Sequence, residues 1–412
     1  MVDQLIIRIS ILLLLAPLLG IGQPLNHLLN IARNDNLELQ ALHQEYLAAL
    51  EKGPQVSQLP DPDVGIGAFI SPVETRLGAQ QARIGVSQMF PWFGTLEARE
   101  QVVLTNAQAI FEKVASTTLE LDFQVKRAYY QLYEIQTAQN IVQENIRILA
   151  SLRRLSLAKV ESGKATAADV LRVDLKIQEL EQELLILANQ LDKPLADLNQ
   201  VLNRPLDSPV EVQDTLEFAQ MPFNKDTLLN NIRNTHPMLR MFALQQEASR
   251  KVIELNELEG RPSFGLGMDY ILVSPRSDAM PMNNGRDIFQ LSARVSIPLW
   301  RDKYRARERE ENLKIAALEN RKLDLETRFL SMIEKAFSDY ETARLRRDLY
   351  TQQIATTRAA IQILQTDYSS SGNNFDELLR LEKELVDYNL KTLEAIVQSQ
   401  IAQAVVERYI TF

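Results

Sequence analysis

Two hydrophobic periods alternate along this chain. In SFGLGMDYIL (263–272), Phe264, Leu266, Met268, Tyr270 and Leu272 fall on one face, and Gly265, Gly267 and Asp269 on the other. FQLSARVSI (289–297) sets Phe289, Leu291, Ala293, Val295 and Ile297 against Gln290, Ser292, Arg294 and Ser296. Earlier, Val64, Ile66, Ala68 and Ile70, and then Ile84, Val86 and Phe90, repeat the pattern. A period of two predicts strands, here over about 62–71, 82–90, 262–273 and 287–297.

After each strand pair the period lengthens. From Leu96 to Ser162 no proline or glycine intervenes, which predicts a helix of about 100 Å at ~1.5 Å per residue. Apolar positions step by four and three from Ala107 and Phe111 through Leu121, Val125, Leu132 and Val142 to Leu149, a sustained heptad seam. A second line through Tyr129, Tyr133, Ile148 and Leu152 flanks it. Two seams call for helical neighbours on both sides. A second uninterrupted helix is expected from about Lys303 to Ser369.

Each long helix ends in a break. In KVESGKATAADVL (159–171), Gly163 can take the left-handed conformation that terminates a helix, and Thr166 with Asp169 can open the next as a capping box. In YSSSGNNFDELL (368–379), Gly372 stops the helix, and Asn374 and Glu377 fill the cap and third positions. Each break therefore predicts a helical hairpin turn.

The whole arrangement occurs twice. ARNDNLELQALHQEYLAALEK (32–52) is echoed by IRNTHPMLRMFALQQEASRKV (232–252), PDVGIG (62–67) by PSFGLG (262–267), and SQMFPWFGTLEARE (87–100) by VSIPLWRDKYRARE (295–308). The expected class is mainly α with a small β part. Its first repeat spans 23–203, with a hairpin over about 95–203, and its second spans 227–412, with a hairpin over about 301–411. The Pro-rich stretch 204–226 links them. The N-terminus, MVDQLIIRISILLLLAPLLGIGQ, has the apolar core and small residues of a secretory signal over 1–22; a retained signal anchor is the alternative.

Composition removes several function classes. There is no cysteine, so disulfides and thiolate metal sites are excluded. A net charge of -9 without a basic face argues against nucleic acid as a partner. His27, His43 and His236 lie far apart in ordinary sequence, with no metal-ligand spacing. No phosphate loop or nucleophile elbow occurs, and no cofactor or enzymatic activity is expected.

The strands admit two readings, a half-buried sheet on a soluble domain or part of a membrane barrel with apolar side chains outward. Their length, about 9–11 residues, suits a tilted crossing. Trp92 and Trp300, the two tryptophans of the chain, stand at equivalent strand ends, where interfacial aromatics belong. Four strands cannot close a barrel, so membrane insertion would require copies of the chain to pool their strands.

The order of elements, the duplicated halves and the two tips, SGKATAADVL and SSGNNFDELL, together resemble the TolC-like outer-membrane efflux protein family over about Gln23 to Phe412. The resemblance implies a homotrimer in which twelve strands form a transmembrane β-barrel joined to an α-barrel tunnel. It implies a passive duct in the outer membrane of a Gram-negative bacterium, reaching through the periplasm. Its partners would be outer-membrane lipid, a periplasmic adaptor (membrane fusion) protein and an inner-membrane RND, ABC or MFS-type transporter. On this resemblance Gly163, Thr166, Gly372 and Asn374 belong to the adaptor-docking tips, and Asp169, Asp376 and Glu377 are candidates for an acidic gate ring. The tyrosine and arginine of the best-known gate are not matched, since Ser369 and Asn374 stand there, with Tyr368 one position away. A soluble periplasmic coiled-coil adaptor or scaffold is the alternative function.

Overall fold

The computed structural model describes residues 24–212, 215–371 and 373–410. The expected signal peptide over 1–22 and the helix-stopping Gly372 lie outside the described residues. The elements run α1 (Leu25–Asp35), α2 (Leu37–Leu50), α3 (Lys52–Val56), β1 (Asp63–Ala68), β2 (Glu74–Thr75), β3 (Gly78–Phe90), α4 (Thr95–Glu161), α5 (Ala167–Gln190) and α6 (Asp192–Val201). The second half runs α7 (Lys225–Thr235), α8 (Pro237–Glu259), β4 (Ser263–Ser274), β5 (Ile288–Ser296), α9 (Asp302–Ser371) and α10 (Phe375–Glu407). Each half thus presents helices, a strand pair and a long helix that turns back on itself.

The chain forms two compact units, one of Ala41–Ala115 with Pro237–Glu326, the other of the remaining segments. The first unit holds every strand found among the described residues. Its sheet is antiparallel in the order β1-β3-β4-β5, with β2 pairing to the start of β3. Register carries the apolar face across all four strands: Ile66 faces Ile84, Ile84 faces Tyr270 and Tyr270 faces Phe289. A parallel row joins Val64, Val86, Met268 and Leu291. These side chains are exposed, Ile66 at 81% and Leu291 at 75%.

The opposite face carries glycines, serines and charged residues, with buried Ile271 and Val273 toward the far end of β4, and an ion pair lies across it. Arg83 bonds Asp269 through Nε to Oδ1 at 2.9 Å and Nη2 to Oδ2 at 2.9 Å. A Cβ on Gly85 would approach Asp269 Oδ1 to 2.1 Å, so the glycine leaves room for that carboxylate.

β3 begins at Gly78, four residues before the start read from periodicity, and β1 ends at Ala68. The intervening residues fold back instead of forming an open loop. Thr75 Oγ1 donates to Gly78 O at 2.7 Å, and Gly78 adopts φ 137° where a Cβ would meet Ser274 O at 1.7 Å. Alternation could not reveal this extension, because AQQA at 79–82 carries no apolar side chain larger than alanine.

The second unit is helical. Along α4, Leu121, Val125, Leu132, Val142 and Leu149 of the seam are buried, as are Tyr129 and Leu152 of the flanking line. Phe111 departs from expectation in the strand-bearing unit: it is 52% exposed and meets Tyr46 with ring centroids 5.4 Å apart. Ile148 is also exposed. Among its described residues the 204–226 linker contains no helix before α7, and it is strapped down by its backbone. Gln136 Nε2 donates to Val210 O at 2.9 Å, Ala219 N–H donates to Ser399 Oγ at 2.9 Å, and Tyr340 Oη donates to Ala219 O at 3.0 Å. Among the described residues no helix is long and apolar enough to cross a membrane.

Candidate functional site: the helical tips and the apolar strand face

The first tip is closed by backbone geometry. α4 ends as Gly163 turns to φ 70°; its N–H donates to Val160 O at 3.0 Å, and Lys164 N–H donates to Lys159 O at 2.8 Å. This pair of bonds satisfies carbonyls left over at a helix end. No atom lies within 4 Å of where a Cβ on Gly163 would stand, so the glycine serves conformation alone.

Thr166 is extended at the head of α5, where it and Asp169 form a capping box. Asp169 Oδ2 accepts the Thr166 N–H at 3.1 Å. Asp169 is only 7% exposed, and its other oxygen accepts from Arg172 Nη1 at 3.2 Å.

The second tip is built differently. Asn374 occupies the N-cap position of α10 but is left-handed, at φ 63° and ψ 26°. Its side chain makes no capping bond; Nδ2 instead donates to Asp367 Oδ2 on α9 at 2.8 Å. The expected side-chain cap is therefore corrected here, because left-handed backbone aims the amide back at the preceding helix. Glu377, at the third position, bonds forward to Arg380 Nε at 3.0 Å. That guanidinium holds the Glu377 carboxyl below the usual carboxylate range. Arg380 also reaches Glu384 at 2.7 Å.

Polar and apolar contacts join the hairpins near their tips. Arg172 Nη1 contacts Asp376 Oδ1 at 2.8 Å while holding Asp169. Beneath it lies an apolar cluster that includes Leu149, Val173, Tyr368, Phe375 and Leu378. Tyr368 is fully buried, packs at a tilt against Phe375 with ring centroids 4.7 Å apart, and donates from Oη to Ser156 Oγ at 3.1 Å. Burial pushes its phenol up. Lys159 Nζ donates to Ser369 O across the same junction. Asp169 of the first tip and Asp376 of the second thus share one arginine, while Glu377 of the second is held by another.

Sequence reasoning missed Arg172, Arg380 and Ser156. The two arginines carried a signal, each standing three residues after an acidic candidate. Ser156 carried none, since its role depends on a tyrosine more than two hundred residues away in sequence.

In the strand-bearing unit, the two tryptophans have different surroundings. Trp92 is half-buried, 5.9 Å from the Phe264 ring, with the Arg261 guanidinium 5.5 Å from its own ring. Trp300 is 81% exposed, as is Phe93 beside Trp92. With Leu299, these rings border the end of the apolar strand face. Among the described residues no cluster of three His, Asp or Glu side chains could hold a metal ion.

No protein-family model matches the chain, and no curated protein matches it in sequence. Solved structures do. The outer-membrane channel OprN superposes with a TM-score of 0.71 at 18% identity, covering 93% of this chain and 89% of its own. CusC, whose structures concern folding and transmembrane channel formation, gives 0.73 at 13% identity over 94% and 91%. The open state of the Neisseria gonorrhoeae outer-membrane channel MtrE gives 0.73 at 14% identity over 93% and 88%. From its helices and strand pairs through both tips, this chain has the fold of TolC-like outer-membrane channels.

Proposed function

We propose that the chain is an outer-membrane channel, a passive duct through which an inner-membrane transporter moves solutes across the periplasm and out of a Gram-negative cell. The observation that carries this reading is the apolar face running unbroken across β1, β3, β4 and β5, exposed to its surroundings in a single chain. An exposed patch of this kind requires a covering. Lipid is a fitting one, because the opposite face is rich in glycine and serine and holds the Arg83–Asp269 pair, as suits the inside of a water-filled barrel, with Ile271 and Val273 as its larger apolar members.

β1 and β5 are the terminal strands in the sheet order, and their outer edges have no strand neighbour among the described residues. Inside lipid such edges must be paired. Three copies would close twelve strands, and the long hairpins would form a helical tunnel. On this reading the tips carrying Gly163, Thr166, Gly372 and Asn374 meet a periplasmic adaptor, and Asp169, Asp376 and Glu377 surround the mouth. Trp92 and Trp300 would lie at the periplasmic membrane boundary.

Fractionation of cells expressing the chain tests the proposal. Retention in outer membranes until detergent is added, with migration on gels that changes on heating, is expected. Release by osmotic shock alone would instead identify a soluble periplasmic scaffold.

A further inference from the structure

An open cavity of about 620 Å³ lies where β3 and β5 pass into α4 and α9. Met89, Ser263 and Ser296 line its strand side. Ser263 pairs with Ser296, and Met89 with Gly265, so these residues belong to the polar face of the sheet, opposite the apolar one.

Four cations converge on this cavity: Arg99, Arg261, Lys303 and Arg307. A single carboxylate among the lining residues answers them. Glu259 Oε1 takes Arg99 Nη2 at 3.0 Å, and Oε2 takes Arg307 Nη1 at 2.8 Å. Both oxygens of Glu259 are thereby occupied. Arg261 and Lys303 make no ion pair among the described residues. Arg261 lies 5.5 Å from the Trp92 ring centroid and Lys303 lies 4.7 Å from that of Tyr304. The nearby Asp302 is engaged with Arg305 at 3.6 Å.

Arg261 and Lys303 are both exposed without an ion-pair partner among the described residues, so an anion entering the cavity would be drawn to their summed charge. That the excess occurs in a chain of net charge -9 makes the local concentration more pointed. Aromatic and thioether surface beside the charges offers room for an apolar body, in keeping with ligand sites that combine an apolar lining with a few placed polar groups.

We propose that this cavity binds a soluble organic anion, with its phosphate or carboxylate between Arg261 and Lys303 and a flat apolar body against Trp92. The strand-side lining of Met89, Ser263 and Ser296, from the polar face of the sheet, favours a soluble solute over a lipid headgroup. Under the duct reading, the site would bind anionic cargo in transit; binding itself does not depend on that reading.

The test is isothermal titration of the full-length chain in a neutral detergent with 1-naphthyl phosphate. Saturable binding is expected, at least tenfold tighter than inorganic phosphate, with none for 1-naphthylmethylammonium. The double variant R261Q/K303Q leaves both Glu259 ion pairs in place and should weaken binding at least tenfold, with unchanged circular dichroism and oligomeric mass. Equal affinity in that folded variant, or no binding to the unaltered chain, overturns the site. Tighter binding of dihexanoyl phosphatidylglycerol than of 1-naphthyl phosphate would overturn the assignment to a soluble solute. Channel conductance, measured separately, tests the duct, so binding without conductance would retain the site and remove the transport role.

Discussion

Arg172 contacts Asp376 at 2.8 Å and Asp169 at 3.2 Å, so one guanidinium ties the first helical tip to the second. It also neutralises part of the acidic group at the proposed mouth. Arg172→Gln should therefore increase cation preference in planar bilayers, while D169N/E377Q should decrease it. Asn at 169 retains an oxygen able to accept the Thr166 N–H, so the latter change need not disrupt the cap. Asp169 is buried, so Arg172→Gln also removes a partner from a buried carboxylate and should lower thermal stability modestly. Unaltered selectivity in both variants would remove this group from the mouth.

Gly163→Ala forces a side chain into a left-handed conformation at φ 70°, with a local cost of about 1–2 kcal/mol. Amide exchange around residues 160–169 should accelerate by about tenfold, with little change elsewhere. Asn374→Gly should accelerate exchange less, since glycine accepts the left-handed backbone and only the bond to Asp367 is lost. The reverse ranking would contradict the account of how the two turns are held.

Gly78→Ala meets a backbone obstacle, the carbonyl of Ser274 at 1.7 Å from the added carbon. The start of β3 would have to leave both β2 and β4. Gel analysis should show a smaller heat-modifiable fraction than for Ala79→Ser, a neighbouring substitution without that clash. Equal fractions would mean that this end of the sheet is not needed for assembly.

His236 lies buried against Phe329, with ring centroids 4.4 Å apart, near Tyr409 and Arg408. Burial, followed by the charge of Arg408, lowers its pKa to about 4. The unfolded chain then binds more protons between about pH 4 and 6.5, and stability falls as pH drops through that window. The loss can reach roughly 3 kcal/mol. His236→Phe should flatten the pH dependence of urea unfolding between these limits; an unchanged slope would show that another group governs it.

How much could be read in advance depended on how local each cause was. The sheet was legible because 263–272 and 289–297 mostly alternate apolar with small or polar residues, Ile271 being the exception. Gly163 and the Thr166–Asp169 box were legible because a helix end is set by neighbours in sequence. Asn374 looked like the same device, but its left-handed backbone redirects the amide to Asp367. Phe111 fitted the heptad spacing, yet it contacts Tyr46 and remains exposed, because spacing alone does not determine which neighbour a seam meets. The burial of Tyr368 on Phe375 and its bond to Ser156 needed two hairpins brought together, as did the bridge from Arg172 to Asp376.

The central claim is that this sheet closes by pooling strands from identical chains in a membrane. The most direct measurement is the mass of the folded species extracted by detergent from outer membranes, with bound detergent subtracted. The account predicts three chains. A folded species of one chain, with its strand edges open and no need of detergent, would contradict it.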